Sequence, residues 1–155
     1  GDVYKRQAIV TSFMAHKGEA EDKHLDLVLD DRSVTGDDCY ADMEPSDASL
    51  VFDNLIENAI MYTDEGSILV TFEPRGHEIA VIVQDTGIGI PQTDQSRIFE
   101  RFYRVDKARS REVGGTGLGL SLVRHAVERS KGRVSVKSNP GEGSQFTVVF
   151  PRAKR

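Results

Sequence analysis

Apolar residues recur at two different periods along the chain. From Asp47 to Tyr62 they fall at Ala48, Val51, Phe52, Leu55, Ile56 and Ala59. At about 100° per residue these positions form one broad face, so the spacing predicts a helix there. Pro45-Ser46 stops the run before it, and Ser46 or Asp47 can cap the helix. Asn54, Asn58 and Met61 form a stripe along the edge of the apolar face, with Tyr62 near it. That stripe sets two amides beside the core, facing a cleft. Alternation of apolar and polar residues suggests a strand at His24–Leu29, and Ser67–Phe72 and Glu78–Val83 read as neighbouring strands joined by Pro74-Arg75-Gly76. Cys39–Glu44 reads as a short strand after a polar, turn-like stretch from Asp30 to Asp38. Pro91–Ser96 reads as one helical turn. Leu118–Ser130 reads as a helix ended by Gly132. Val134–Lys137 and Phe146–Phe150 read as strands around an Asn139-Pro140-Gly141 turn. Ile9, Val10, Phe13 and Met14 give residues 8–22 a weaker helical face, interrupted by Gly18. Strands and helices mix without strict βαβ alternation, so the fold class is α+β.

Composition narrows the picture. The chain has 155 residues, enough for one domain with a real core. Its net charge is −5 with no long basic run, which argues against nucleic acid as a partner. Its one cysteine, Cys39, rules out an intrachain disulfide and fits a reducing compartment. No apolar run approaches the roughly 20 residues of a membrane span.

The candidate chemistry lies in three glycine-bearing segments that follow the amide-bearing helix. They are Asp85-Thr86-Gly87-Ile88-Gly89-Ile90, Gly115-Thr116-Gly117-Leu118-Gly119-Leu120 and Gly141-Glu142-Gly143-Ser144. Glycine lets backbone turn tightly and approach a ligand. Asp85 closes a strand, and its carboxylate can accept a hydrogen bond from an exocyclic amine in a flat pocket. The second segment opens a helix, where free N–H groups and the helix dipole favour phosphate. It is neither a Walker loop, since no Lys-Ser/Thr follows, nor a good dinucleotide fingerprint. Asn54 and Asn58 can offer amide oxygens to a hard cation. Residues 103–116 are polar and charged and end in glycine, which predicts a mobile loop. Taken singly, each segment also reads as an ordinary turn, a flexible loop or a polar helix edge. Their joint order points to a nucleotide and Mg²⁺ site.

With five boxes in order, the chain resembles the ATP-binding catalytic domain of sensor histidine kinases, within the superfamily of Hsp90, gyrase B and MutL. Asn54 to Thr63 looks like the N box and Asp85 to Ile90 like the G1 box. Ile98-Phe99-Glu100-Arg101-Phe102-Tyr103-Arg104 looks like the F box. Gly115 to Leu120 looks like the G2 box, and Gly141 to Phe146 like the last glycine box. The resemblance covers about residues 20–152. It implies a Bergerat-type fold: a two-layer α/β sandwich with a mixed sheet of about five strands and about three helices on one face. It implies ATP and Mg²⁺ as cofactors, with transfer of the γ-phosphoryl group to a histidine on a dimerisation domain absent from this chain. Asn58 would hold Mg²⁺ and Asn54 would support the phosphate region. Asp85 would take the adenine amine, beside Gly87 and Gly89. Tyr62 would pack near the base or ribose. Arg104 would reach the terminal phosphate. Gly115, Thr116, Gly117, Leu118 and Gly119, with Lys107, would line the phosphates as the 103–116 lid closes. Ser144 would support the pocket through Asp85 and water.

The same resemblance implies as partners the protein's own phosphoacceptor domain and a response regulator receiver domain. It implies a homodimeric full-length protein, with this domain cytoplasmic and the whole anchored in the inner membrane. One departure stands out: Met61 occupies a position where the family carries a basic residue facing the phosphates, and Lys107 or Arg109 would have to compensate. That keeps open a degenerate module that uses ATP only to shape a partner surface. An ATP-hydrolysing member would need a glutamate at position 54, and Asn54 is a poor general base. An anti-sigma-type kinase would lack the Phe99-to-Phe102 box. His16, His24, His77 and His125 match no acceptor pattern and read as structural or surface groups.

The chain divides into residues 1–7, 8–22 and 23–155. Asp2-Val3-Tyr4-Lys5-Arg6-Gln7 can be back-translated to a sequence that resembles the transposase end used in library preparation, so residues 1–7 read as translated adapter. Residues 8–22 read as a remnant of the helical dimerisation domain or a linker, and 23–155 as the ATP-binding catalytic domain.

Overall fold

The computed structural model describes residues 3–30, 40–103 and 119–151. In chain order the elements are β1 (Val3–Lys5), α1 (Arg6–Asp22), β2 (Asp26–Asp30), β3 (Tyr40–Asp42), α2 (Pro45–Met61), β4 (Ser67–Arg75) and β5 (Glu78–Asp85). They continue with α3 (Gln92–Gln95), α4 (Gly119–Arg129), β6 (Arg133–Asn139) and β7 (Gly143–Pro151). Five strands form one mixed sheet in the order β2-β4-β5-β7-β6. β2 runs parallel to β4, and every other neighbouring pair is antiparallel. This is the expected α+β sandwich.

The sheet's inner face and the helices share one core. Ile68, Val70 and Phe72 of β4 and Ile79, Val81 and Val83 of β5 lie in one buried cluster with Phe146, Val148 and Phe150 of β7. Across from them stand Val51, Phe52, Leu55 and Ile56 of α2 and Val123, Ala126 and Val127 of α4, all with no exposed surface. The six apolar positions that predicted α2 are all buried. Val51, Phe52, Leu55 and Ile56 each contribute roughly 1.5–3 kcal/mol on burial.

Several boundaries differ from the expectation for physical reasons. Pro45 opens α2 rather than stopping a strand, and the N-cap is Glu44, which makes no side-chain capping bond, rather than Ser46 or Asp47. Proline suits the first helical position, where its missing N–H would have no partner. Pro74 lies inside β4, in the part that extends past β2, where a strand edge tolerates it. The β4–β5 turn is therefore Gly76-His77, with Gly76 at φ +62°. α4 ends in a Schellman turn: Gly132 N–H donates to Val127 O at 2.9 Å and Lys131 N–H to Glu128 O at 2.9 Å. The left-handed residue is Lys131 at φ +61°, not Gly132. Gly132 is needed for a different reason: a Cβ there would lie 2.5 Å from the Val149 carbonyl oxygen.

α1 buries Ser12, Phe13, His16 and Ala20, while Met14, expected on its apolar face, is 59% exposed. The buried positions recur every three or four residues, as a helix packed along α2 requires. His24 was expected at a strand start but carries the left-handed turn after α1, at φ +60°. The short β3 pairs not with the main sheet but with β1, matching Val3 to Asp42 and Lys5 to Tyr40. Cys39 lies outside the described residues.

Candidate functional site

The amide edge of α2 meets the start of α4. Asn54 and Asn58 are half-buried beside the fully buried Leu55 and Ile56. Asn54 Nδ2 donates to Leu50 O at 2.7 Å, one turn back. Its other amide atom, Oδ1, faces Gly119: a Cβ on that glycine would lie 2.7 Å from it. So the N-box amide touches the backbone that opens α4. The first N–H groups of α4 have no partner within the helix, and the dipole there favours an anion.

The carboxylates of α2 face elsewhere. Glu57 Oε1 stands 3.0 Å from His16 Nε2, and Asp53 Oδ1 stands 3.7 Å from His16 Nδ1. His16 Nδ1 also lies 2.8 Å from Ser12 O. Glu57, next to Asn58 in sequence, is thereby turned onto α1, away from the amide edge. Both His16 nitrogens face acceptors, an arrangement that only the doubly protonated ring satisfies. Burial pushes the His16 pKa down, but the Ser12 carbonyl and the Glu57 and Asp53 carboxylates outweigh it and hold it above the ordinary value.

Asp85 ends β5 and is only 4% exposed. Its Oδ1 accepts the Gly87 N–H at 2.9 Å and the Ser144 N–H at 3.2 Å. Burial raises its pKa, and the two N–H bonds pull it back only in part. Both bonds fall on Oδ1, so among the described residues Oδ2 remains open as an acceptor. A largely buried carboxylate with one oxygen still able to accept a hydrogen bond is a candidate ligand position.

The glycines of the 85–90 segment let it lie against two neighbours. A Cβ on Gly87 would lie 2.1 Å from Tyr62 O, and Ile88 N–H donates to that same carbonyl at 3.0 Å. Gly89 has φ +75°, and a Cβ there would lie 2.3 Å from Asn139 O. The segment is thus held between the C-terminus of α2 and the β6–β7 turn. In that turn Glu142 N–H donates to Asn139 O at 2.9 Å, and Gly141, at φ +82°, supplies the left-handed position. Gly141 N–H reaches back to Ile88 O at 2.8 Å. Thr63, fully buried, keeps an Oγ1 with no hydrogen-bond partner among the described residues.

Ser144 reaches Asp85 through its backbone N–H. Its hydroxyl pairs instead with Ser138 Oγ at 2.9 Å. Sequence reading missed Ser138 and Gln95, whose amide donates to both Ile90 O and Ser138 O at 2.9 Å. In the F-box segment, Ile98 is buried and Phe99 packs edge-on to Phe146 at 6.3 Å between ring centroids. Phe102 is 65% exposed at φ +67°. Arg104, Lys107, Arg109, Gly115, Thr116, Gly117 and Leu118 lie outside the described residues, as does the expected 103–116 lid beyond Tyr103. Among the described residues no three His, Cys, Asp or Glu side chains form a metal-holding group. The oxygens on offer to a hard cation at the amide edge are those of Asn54 and Asn58.

Residues 43–154 match the family model described as "Histidine kinase-, DNA gyrase B-, and HSP90-like ATPase". The chain is 50% identical over 99 residues to the sensor-like histidine kinase SenX3 of Mycolicibacterium smegmatis, covering 63% of this chain and 26% of the relative. It is 37% identical over 135 residues to the sensor histidine kinase WalK of Bacillus subtilis, covering 84% of this chain and 21% of that one. It thus spans about a quarter or less of the length of these relatives. Its fold matches that of full-length ShkA, solved in complex with AMPPNP, at a TM-score of 0.83 and 22% identity, covering 99% of this chain and 32% of that one. With the buried Asp85, the Asn54–Gly119 contact and the glycine-clamped loop in place, the chain belongs to the family of histidine kinase-, DNA gyrase B- and HSP90-like ATPases.

Proposed function

We propose that this domain binds Mg-ATP between α2 and the start of α4 and transfers the γ-phosphoryl group to a histidine on a separate dimerisation and phosphoacceptor domain. The observation that carries the reading is the buried Asp85 carboxylate with both N–H bonds on Oδ1, together with the Asn54 amide that touches the start of α4. Asp85 Oδ2 would accept the adenine amine. The N–H groups opening α4 would receive phosphate oxygens, with Asn54 braced against Gly119. Asn58 would hold Mg²⁺, which supplies charge neutralisation on the transferring group. Arg104 and Lys107 would face the terminal phosphate, with Gly115, Thr116, Gly117 and Leu118 closing over it. Phosphoryl transfer needs positioning and charge neutralisation more than covalent help, and these groups provide both.

In the whole protein the partners would be the homodimeric phosphoacceptor domain and a response regulator receiver domain. The domain would lie in the cytoplasm and the whole would be anchored in the inner membrane. Among the described residues no helix is long and apolar enough to cross a membrane. Residues 1–7 would be translated adapter and 8–22 the end of the helical domain or linker. The pairing of Val3–Lys5 with β3 does not weigh on the first point, since backbone pairing places little demand on side-chain identity. Met61 favours a second reading, a regulatory module that binds ATP without efficient transfer, because a thioether cannot supply the charge of a lysine or arginine. The test of the site is an ATP titration with and without Mg²⁺. Mg²⁺ should tighten binding to the native chain but not to Asn58→Ala. A variant that still gains affinity from Mg²⁺ would remove Asn58 from the metal site.

A further inference from the structure

Ser138 lies on β6 opposite Ser144 of β7, is 9% exposed, and touches neither the amide edge of α2 nor the open oxygen of Asp85 in the described geometry. Its hydroxyl nevertheless joins three partners. Ile90 N–H donates to it at 2.7 Å, it donates to Gly143 O at 2.8 Å, and Ser144 Oγ stands at 2.9 Å. The proton positions follow from the partners. A carbonyl can only accept, so the Ser138 proton goes to Gly143. A backbone N–H can only donate, so it fills one lone pair. The Ser144 hydroxyl must therefore donate into the other, and the Ser138 oxygen is saturated.

These three bonds link the two segments that grip Asp85. Ile90 closes the 85–90 segment, whose Gly87 N–H binds Asp85 Oδ1. Gly143 and Ser144 open β7, whose Ser144 N–H binds the same oxygen. Gly143 also packs so closely on Asp85 that a Cβ would lie 2.0 Å from the Asp85 carbonyl oxygen. One donor to Oδ1 comes from each segment, so the direction of Oδ2 depends on the distance between them. Ser138, seconded by the Gln95 amide, fixes that distance.

We infer that Ser138 is a positioning residue for base recognition: it locks the two glycine segments together so that Asp85 Oδ2 points at the exocyclic amine of the base. This rests on the reading of Asp85 as the adenine acceptor, and the test separates the two. The probes are ATP and purine riboside triphosphate, which lacks the 6-amino group but is otherwise the same. Ser138→Ala should weaken ATP by about tenfold, the size of losing one hydrogen bond to a charged acceptor, and leave purine riboside triphosphate unchanged. Ser138→Thr, which restores the hydroxyl, should restore the preference for ATP. A general loosening of the fold would weaken both nucleotides alike. Equal weakening, or none, in Ser138→Ala would overturn the inference. If Ser138→Ala does not fold, Ser138→Cys carries the same test, since a thiol is a weak donor and acceptor. An ATP preference at the native level in that variant would overturn the inference too. Asp85→Asn is the control for the underlying reading. If it does not lose the preference, the adenine assignment fails. If it does and the Ser138 variants do not, only the role of Ser138 fails.

Discussion

Replacing Asp85 by Asn isolates the ligand role of this carboxylate from its structural one. Its Oδ1 holds the Gly87 and Ser144 N–H groups at 2.9 and 3.2 Å. An Asn amide oxygen can keep both bonds, with its NH₂ group at the position of Oδ2, so the fold should survive. Stability should not fall. Burial raises the Asp85 pKa above its unfolded value, so the folded chain holds the proton more tightly than the unfolded chain. Such a group costs stability as pH rises through its shifted pKa, and a neutral amide removes that cost. Nucleotide affinity should fall, because an NH₂ donor now meets the adenine amine donor. A hydrogen bond to a charged group is worth about 1.5–3 kcal/mol, so the loss should be about tenfold to somewhat over a hundredfold. The assay is calorimetric titration with ATP, paired with thermal denaturation followed by circular dichroism. Native melting with weakened ATP binding is the expected result. Unchanged ATP affinity, or an unfolded variant, would refute the reasoning.

Three further outcomes follow from the geometry. Gly18→Ala should raise stability by roughly 0.5–1 kcal/mol, since Gly18 lies inside α1 with nothing within 4 Å of an added Cβ; a lower melting temperature would contradict this. Gly87→Ala should do the opposite, because its Cβ would lie 2.1 Å from the Tyr62 carbonyl oxygen. The shift should cost about 1–3 kcal/mol and weaken ATP binding, and a variant with native melting and affinity would show that the loop is free to move. The His16 contacts with Ser12, Asp53 and Glu57 should add stability that is present below its ordinary pKa of 6.5 and lost as pH rises through the higher folded value. The melting temperatures of the native chain and His16→Gln should therefore differ most in mild acid and converge on the alkaline side, whereas a constant difference would leave the imidazolium without a role.

The elements easiest to read in the sequence were those whose side chains leave one dominant period. α2 shows six apolar positions on one face, and β4, β5 and β7 alternate against it. α1 was harder because Gly18 and its charged neighbours blur the pattern, and its buried face turned out to include His16 and Ser12 rather than Met14. At the site, Asp85, Asn54 and the glycine segments were legible from residue type and order. Their use of space was not. Gly87 and Gly89 suggested close approach to a ligand, yet in the fold they admit the Tyr62 and Asn139 carbonyls. Gly132 ends α4 by clearing Val149, while Lys131 takes the left-handed turn. Ser138 had no signature at all, because its partners are set by the pairing of β6 with β7 and by a loop 48 residues away.

The central claim is that this chain carries the ATP side of a phosphoryl transfer whose acceptor lies on another domain. The direct test is incubation with γ-labelled ATP, Mg²⁺ and the dimeric phosphoacceptor domain of a related sensor kinase, followed by acid and base treatment. Acid-labile, base-stable label should form on the acceptor domain, slowly because no tether raises the local concentration. It should be absent from this chain and should form about tenfold to a hundredfold less readily with Asp85→Asn at ATP concentrations below saturation. Acid-labile label on the isolated chain, lost when His16, His24, His77 or His125 is replaced, would contradict the account.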